Sequence, residues 1–307
     1  MLIYFLSFFQ VSQKFFEKFG FPSVIGALDC TLIRIKSPGG KRAETYRSRR
    51  GKFSLNVQTV SDADLLIRNL VVRWPGSTHD STIFDHSYLR AHLETEVPNR
   101  YHVLGDLGYP LRSYLMTPFS APATDSEKRI FPTVWCNTSG FNSLHSKAPI
   151  HLFHVILFFF FMLHGIQTIY ADKVMCQKYP LLAVKINIAL VRMFKYIALF
   201  YVLNFILFYF FRYNEAQILA RNVVERQYGV WKKRCACIAE SMRCQLQNSQ
   251  TIIVATAVLH NIAIILGDSY DEGNFTPGVQ DGPVNHNTHH AGMAKRNAIV
   301  ANYFVNI

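Results

Sequence analysis

The run "VIGALDCTLIRIK" (Val24 to Lys36) decides how the rest of the chain is read. Its apolar and β-branched residues predict a strand, yet Asp29 stands in the middle of it. A carboxylate inside an apolar run is costly unless it is paired or binds a cation. Asp29 is therefore the first candidate for chemistry. Working outward, "FSLNVQTVSD" and "LIRNLVVRW" alternate as strands joined by a tight Asp-rich turn, and "HDSTIFDHSYLRAHLETE" has helical spacing. "YHVLGDLGYPL" is a short apolar run stopped by Gly-Asp and Gly-Tyr-Pro. Val24 to Thr117 thus reads as a compact α/β unit. Asp106 stands at the C-terminal end of the last run, the end of an α/β sheet where ligands gather.

A third acid lies far downstream, in "RNVVERQYGVWKKR" (Arg221 to Arg234). Ala220, Val224, Tyr228 and Trp231 recur at the spacing of a buried helical stripe. Glu225 lies off that stripe, one turn after Arg221, and such a pair contributes only about 0.2–0.5 kcal/mol on a surface helix. The helix by itself leaves open whether Glu225 is a surface partner or a ligand. Two strand aspartates and a helix glutamate would make an oxygen-rich site suited to Mg²⁺, which takes a few carboxylates with water and phosphate oxygens. Two ions about 4 Å apart would activate the attacking oxygen and stabilise the leaving one. The competing reading is that strand-end aspartates merely cap turns.

The 307 residues carry a formal charge of +12 and a pI near 9.5, which points to an anionic partner, nucleic acid or a membrane surface. Six cysteines without a C-x-x-C pair read as reduced intracellular thiols rather than a disulfide framework. "MLIYFLSFF" has no cationic start and no small-residue cleavage site, so it is not read as a signal peptide. Near Arg129 the composition changes: Ala148 to Ala171 is uncharged, and so is Tyr196 to Phe211 between Lys195 and Arg212. A spanning helix needs about 20 apolar residues, so both runs admit a membrane anchor. Three histidines in the first and the shortness of the second argue against one. After Gly267 the chain is rich in Gly, Asn, Asp and His, which predicts a disordered tail over 267–307.

"IGALDCTLIRIKSPGG", "SLNVQTVSDAD", "RWPGSTHDSTIF", "LGDLGYPLRSYLMTP" and "YNEAQILARNVVERQYGVWKKR" together resemble consecutive motifs of Harbinger-type (PIF/Harbinger) DDE transposases and the nucleases derived from them. The resemblance covers about Phe15 to Thr124 and Arg212 to Ile264, in order. It implies an RNase H-like α/β fold, a mixed sheet flanked by helices, here interrupted by a large apolar insertion. It also implies that Asp29, Asp106 and Glu225 are the catalytic, metal-holding acids, with two divalent ions, Mg²⁺ or Mn²⁺. Asp80, in "THDS", matches a characteristic aspartate of the family, assigned an auxiliary place in the metal set or a capping role near His79. The implied activity is metal-dependent cleavage of DNA in the nucleus, with a separate Myb-like DNA-binding protein as partner.

Asp106 and Glu225 are much farther apart than in family members, and removing Ile130 to Phe211 restores a separation of the usual kind. The expected organisation is an N-terminal remnant over 1–20, nuclease segments over 21–129 and 212–266, an insertion or intron read-through over 130–211, and the tail. Leu107 and Leu32 depart from the family pattern, and the upstream helical DNA-binding region is expected to be missing. Lys41, Arg42, Arg47, Arg49, Arg50 and Lys52, with Lys232 and Lys233, are the candidate phosphate contacts, and Tyr46 can stack on a base or sugar. A solvated hairpin loop explains the first six equally well. A DNA-binding scaffold without activity and a membrane-anchored protein remain the alternatives to the nuclease.

Overall fold

The computed structural model describes residues 7–120, 180–268 and 289–305, and for most of 180–207 only the helical path. The chain divides into two compact units, one of Met1–Ser120 with Phe208–Ile307, the other of Ala121–Leu207. The first unit holds every element discussed below except the part of α4 that precedes Phe208. Helix α1 (Phe8–Phe19) opens on a capping box between Ser7 and Gln10 and closes at Gly20 in the left-handed conformation (φ 67°). Strands β1 (Val24–Arg34), β2 (Ser54–Ser61) and β3 (Ile67–Pro75) follow. Helices α2 (Asp80–Asp85) and α3 (Tyr88–Thr95) lead to the short strands β4 (His102–Leu104) and β5 (Leu115–Met116). Helix α4 runs from Pro180 to Arg234, and α5 (Ala236–Ala239), α6 (Leu246–Ile265) and α7 (His290–Ile299) complete the set.

The sheet order is β3-β2-β1-β4-β5. β1, β2 and β3 are antiparallel neighbours, while β4 runs parallel to β1 and to β5. This mixed sheet with helices on it is an RNase H-like α/β fold. β2 is buried along its whole length, so polar residues within it must find partners. Leu28 and Val60 face one side, where they join Phe84, Leu89 and Leu93 of α2 and α3. Asp29 and Thr59, directly paired in the ladder, face the other side, and there Thr59 Oγ1 donates to Gln227 Oε1 of α4 at 3.1 Å. The period of two in β1 therefore sends Leu28 and Asp29 to opposite faces.

The edge strand β3 is covered by α6, where Asn261 mimics a further strand residue. Its amide nitrogen donates to Ile67 O at 2.9 Å, and its oxygen accepts from Ile67 N at 2.8 Å. By length and composition alone α6 is apolar enough to cross a membrane, yet Ile253, Ala257 and His260 on one of its faces are buried. Of the two uncharged runs noted in the sequence, Ala148 to Ala171 lies outside the described residues and Tyr196 to Phe211 is part of α4.

Three boundaries differ from the sequence reading. Residues 8–19, within the expected N-terminal remnant, pack into the core unit: Phe15 is fully buried, and Lys14 and Lys18 reach Asp64 in the β2–β3 turn. The expected insertion of 130–211 is shifted, because Phe210 stacks on Phe119 with ring centroids 4.3 Å apart and Tyr209 is buried. The end of that apolar run therefore belongs to the core unit. The tail expected to be disordered is ordered over 290–304, where α7 and a π-helical turn (Val300–Phe304) bury Ile299, Val300 and Phe304. Lys295 Nζ donates to the carbonyls of Asn99, Tyr101 and Ser113 at 2.5, 2.9 and 2.7 Å. Composition cannot register a lysine matched to backbone carbonyls, so the disorder rule failed there. A Cβ on Gly292 would stand 3.0 Å from the Arg112 backbone, so glycine permits this close docking.

Candidate metal centre

Helix α4 meets the sheet through a stripe of polar side chains at helical spacing: Gln217, Arg221, Glu225, Tyr228 and Lys232. Gln217 Nε2 donates to Gly105 O at 2.8 Å, Tyr228 OH to Asp29 O at 2.7 Å, and Lys232 Nζ to Thr31 Oγ1 at 2.6 Å. Ala220, Val224 and Trp231, on the next stripe, are fully buried. The apolar stripe is thus buried, and the polar one, with Glu225 and Lys232 only partly covered, faces the sheet.

Arg221, with 3% of its side chain exposed, spans two of them. Nη1 donates to Asp29 Oδ2 at 3.2 Å and Nη2 to Glu225 Oε1 at 2.5 Å. Asp29 also accepts from Cys30 N at 2.8 Å. Burial is the largest influence on Asp29 and pushes its carboxyl from 3.8 up to about 7; Arg221 opposes this, and Asp106 and Asp80 add to it. Asp106, just beyond β4, is likewise raised, first by burial and also by Asp80 and Glu225, against the pull of Arg221. The four acids therefore share one electrostatic neighbourhood. Asp106 Oδ1 accepts from Gly108 N at 2.9 Å, and a Cβ on Gly108 would stand 3.1 Å from that same oxygen.

Asp80 is the first residue of α2 rather than its cap; His79 holds the cap position without a side-chain bond. Its carboxylate accepts from Asn56 Nδ2 at 2.7 Å. His79 is exposed rather than a buried histidine, and its Nδ1 lies 2.8 Å from Arg49 Nη2. A cavity of about 400 Å³ brings Asp80 and Asp106 together with Cys30, Arg49, Arg50, His79 and Lys232.

The candidate phosphate contacts separate into groups. Arg49, Arg50 and Lys232 line the acid cavity, and burial lowers the Lys232 ammonium, with Arg50 and Arg34 adding to the effect. Arg47 is bound to Glu44 at 2.7 Å and lies 4.4 Å over the Phe53 ring. Together with Lys52 and Arg34 it borders a second cavity of about 390 Å³. Lys41, Arg42 and Lys233 are exposed outside both cavities. Tyr46 ends a short 3₁₀ turn (Ala43–Tyr46).

Among the described residues no three His, Cys, Asp or Glu side chains stand close enough together to hold a metal ion as they are. Like charges repel without a counter-ion, and the guanidinium of Arg221 lies between Asp29 and Glu225. The donor set itself is all carboxylate oxygen, the chemistry that Mg²⁺ or Mn²⁺ requires. The residues thus fit a hard divalent ion by donor type, with Arg221 occupying the space between two of them. Sequence reasoning missed Gln217 and Tyr228 as the anchors of this face. The spacing from Gln217 through Arg221 to Glu225 was the available signal.

The acids thus gather at the middle of an RNase H-like sheet, on β1 and just beyond its neighbour β4. Residues 28–157 match the family described as DDE superfamily endonuclease. Over those residues the chain is similar to DDE superfamily endonucleases, and part of it is similar to proteins named as putative nucleases. It is 35% identical over 120 residues to "Putative nuclease HARBI1" of Mus musculus, covering 39% of this chain and 34% of that protein. The Homo sapiens protein of the same name is 33% identical over 119 residues, with the same coverage. "Protein ALP1-like" of Arabidopsis thaliana is 27% identical over 139 residues, again 39% and 34%. The chain thus aligns with about a third of the length of these relatives. No solved structure matches it. The family match includes Asp29, Asp80 and Asp106 and ends before Glu225, so the case for Glu225 rests on its position on α4.

Proposed function

We propose that this chain is a divalent-metal-dependent nuclease that cleaves DNA phosphodiester bonds. Asp29, Asp106 and Glu225 are its metal-holding acids and Asp80 an auxiliary one. The observation that carries this reading is one buried guanidinium, that of Arg221, bonded to acids of β1 and α4, with Asp106 at the end of β4 within reach of its charge. A bound pair of Mg²⁺ or Mn²⁺ ions would activate water or a 3′-hydroxyl and stabilise the leaving oxygen. The Cys30 and Gly108 amides orient Asp29 and Asp106, and Asn56 fixes Asp80. Arg49, Arg50 and Lys232 share the acid cavity and hold the DNA phosphates, with Lys41, Arg42, Arg47, Lys52 and Lys233 extending the basic surface. The same reading carries action in the nucleus and a separate Myb-like DNA-binding partner.

The test is nicking of supercoiled DNA with and without Mn²⁺. Metal-dependent nicking by the wild-type chain, lost in Asp106→Asn, supports the nuclease. A folded chain that binds DNA and never nicks it would leave the scaffold reading in its place, which the Arg221 bridge across Asp29 and Glu225 favours.

A further inference from the structure

Arg221 is the one member of the acid cluster that the nuclease reading does not employ. Its guanidinium bonds Asp29 through one nitrogen and Glu225 through the other, and its side chain is almost wholly buried. Asp106 lies within reach of its charge as well. A buried cation bonded to two carboxylates satisfies the electrostatic need that a divalent ion would otherwise meet. Both cannot occupy the space between Asp29 and Glu225, and a fixed positive charge beside an incoming metal ion repels it.

The helix around Arg221 is held without its help. Gln217, one turn before, is tied to Gly105 O, and Tyr228, beyond Glu225, is tied to Asp29 O. Lys232 is tied to Thr31 a turn further on. These bonds go to carbonyls and a hydroxyl, not to the acids. The seat of α4 on the sheet is therefore independent of the guanidinium, and exchange of guanidinium for metal leaves these bonds in place.

We infer that Arg221 is a resident counter-ion of this site, standing between Asp29 and Glu225 until a divalent metal ion displaces it. The inference rests on the reading of Asp29, Asp106 and Glu225 as metal ligands. In this role Arg221 keeps the acids together before metal arrives and lowers the affinity with which metal binds. It is a positioning residue, and its loss has opposite effects on the two states: the metal-free protein becomes less stable and the metal-bound one forms more readily.

The experiment is a titration of the full chain with Mn²⁺, followed by the paramagnetic signal of the free ion, together with melting in the absence of metal. Arg221→Gln should bind Mn²⁺ about tenfold more tightly than the wild type and melt at a lower temperature without metal. Asp106→Asn should lose the binding. Where Asp106→Asn loses Mn²⁺ but folded Arg221→Gln binds it no more tightly than the wild type, the counter-ion role is overturned and the metal site stands. Where Asp106→Asn binds as the wild type does, the metal site falls and the counter-ion role with it. Should Arg221→Gln fail to fold, Arg221→Lys decides. A single ammonium cannot bond both carboxylates as the fork of a guanidinium does, so this variant should bind Mn²⁺ about threefold more tightly, and equal or weaker binding overturns the inference.

Discussion

The buried Arg221 and the half-buried Lys295 are satisfied in different ways. Arg221 on α4 bonds two carboxylates, whereas Lys295 on α7 bonds three backbone carbonyls. Burial lowers the Lys295 ammonium to about 8, a cost that its carbonyl partners offset only through hydrogen bonding. Asp29 and Asp106 remain raised despite the guanidinium, first by burial and then by their acidic neighbours. One end of the sheet is thus a closed structural clasp, and the other holds negative charge that a further cation could neutralise. The difference teaches that a buried cation marks a site of exchange only where its partners are themselves charged.

The largest expected effect bears on the charged end. Asp106→Asn keeps shape and hydrogen bonding but removes the charge a hard cation needs. Cleavage should fall on the order of a thousandfold, about 4 kcal/mol of barrier, with the fold kept. A gel-based nicking rate and a melting curve check both halves, and wild-type cleavage would remove Asp106 from the ligand set.

A pH series on the metal-free protein probes the same end without DNA. The Asp29 carboxyl is raised from 3.8 to about 7 by burial, so the folded protein holds a proton that the unfolded chain releases. That contribution to stability is complete below about pH 4, is lost as pH rises towards 7, and is absent above it. Unfolding free energy should fall by about 4 kcal/mol across that window, as an order of magnitude. Asp29→Asn should flatten the slope, and an unchanged slope in that variant would assign it to another group.

At the clasp, Lys295→Met should leave three carbonyls short of a donor and cost about 2 kcal/mol. The loss should be the same with and without Mn²⁺, in contrast to any change at Arg221. A loss that Mn²⁺ reverses would erase the distinction between the two ends.

Lys232→Ala tests the rim of the acid cavity. DNA binding should weaken by about 1 kcal/mol evenly across sequences, and the salt slope should fall by about one. Fluorescence anisotropy at several salt concentrations measures both, and an unchanged slope would show that Lys232 touches no phosphate.

The smallest effect belongs to the largest change in the chain. Joining Ser120 directly to Phe208 keeps the whole core unit, and its stability should change by less than about 1 kcal/mol, because closing a surface loop depends weakly on its length. Joining Arg129 to Arg212 instead removes the Phe210 stack and buried Tyr209, and should be the less stable of the two by about 2 kcal/mol. Equal melting temperatures would return the boundary to Arg212.

The sequence by itself determined the strands, the α/β class and the acids of β1 and β4. Periodicity and turn chemistry are local, and a charged residue inside an apolar run is conspicuous within a few positions. "VIGALDCTLIRIK" announced both a strand and a problem that strand had to solve. It did not show that α2 begins at Asp80, that residues 290–304 are ordered, or that Phe210 belongs to the core. Nor could it decide whether Glu225 faces solvent or the sheet. Each of these depends on a partner distant in the chain: Asn56 for Asp80, the carbonyls of Asn99, Tyr101 and Ser113 for Lys295, and Asp29 for Arg221. Only the tertiary structure brings such groups within hydrogen-bonding range, because burial and long-range charge are properties of the packed chain and not of any segment.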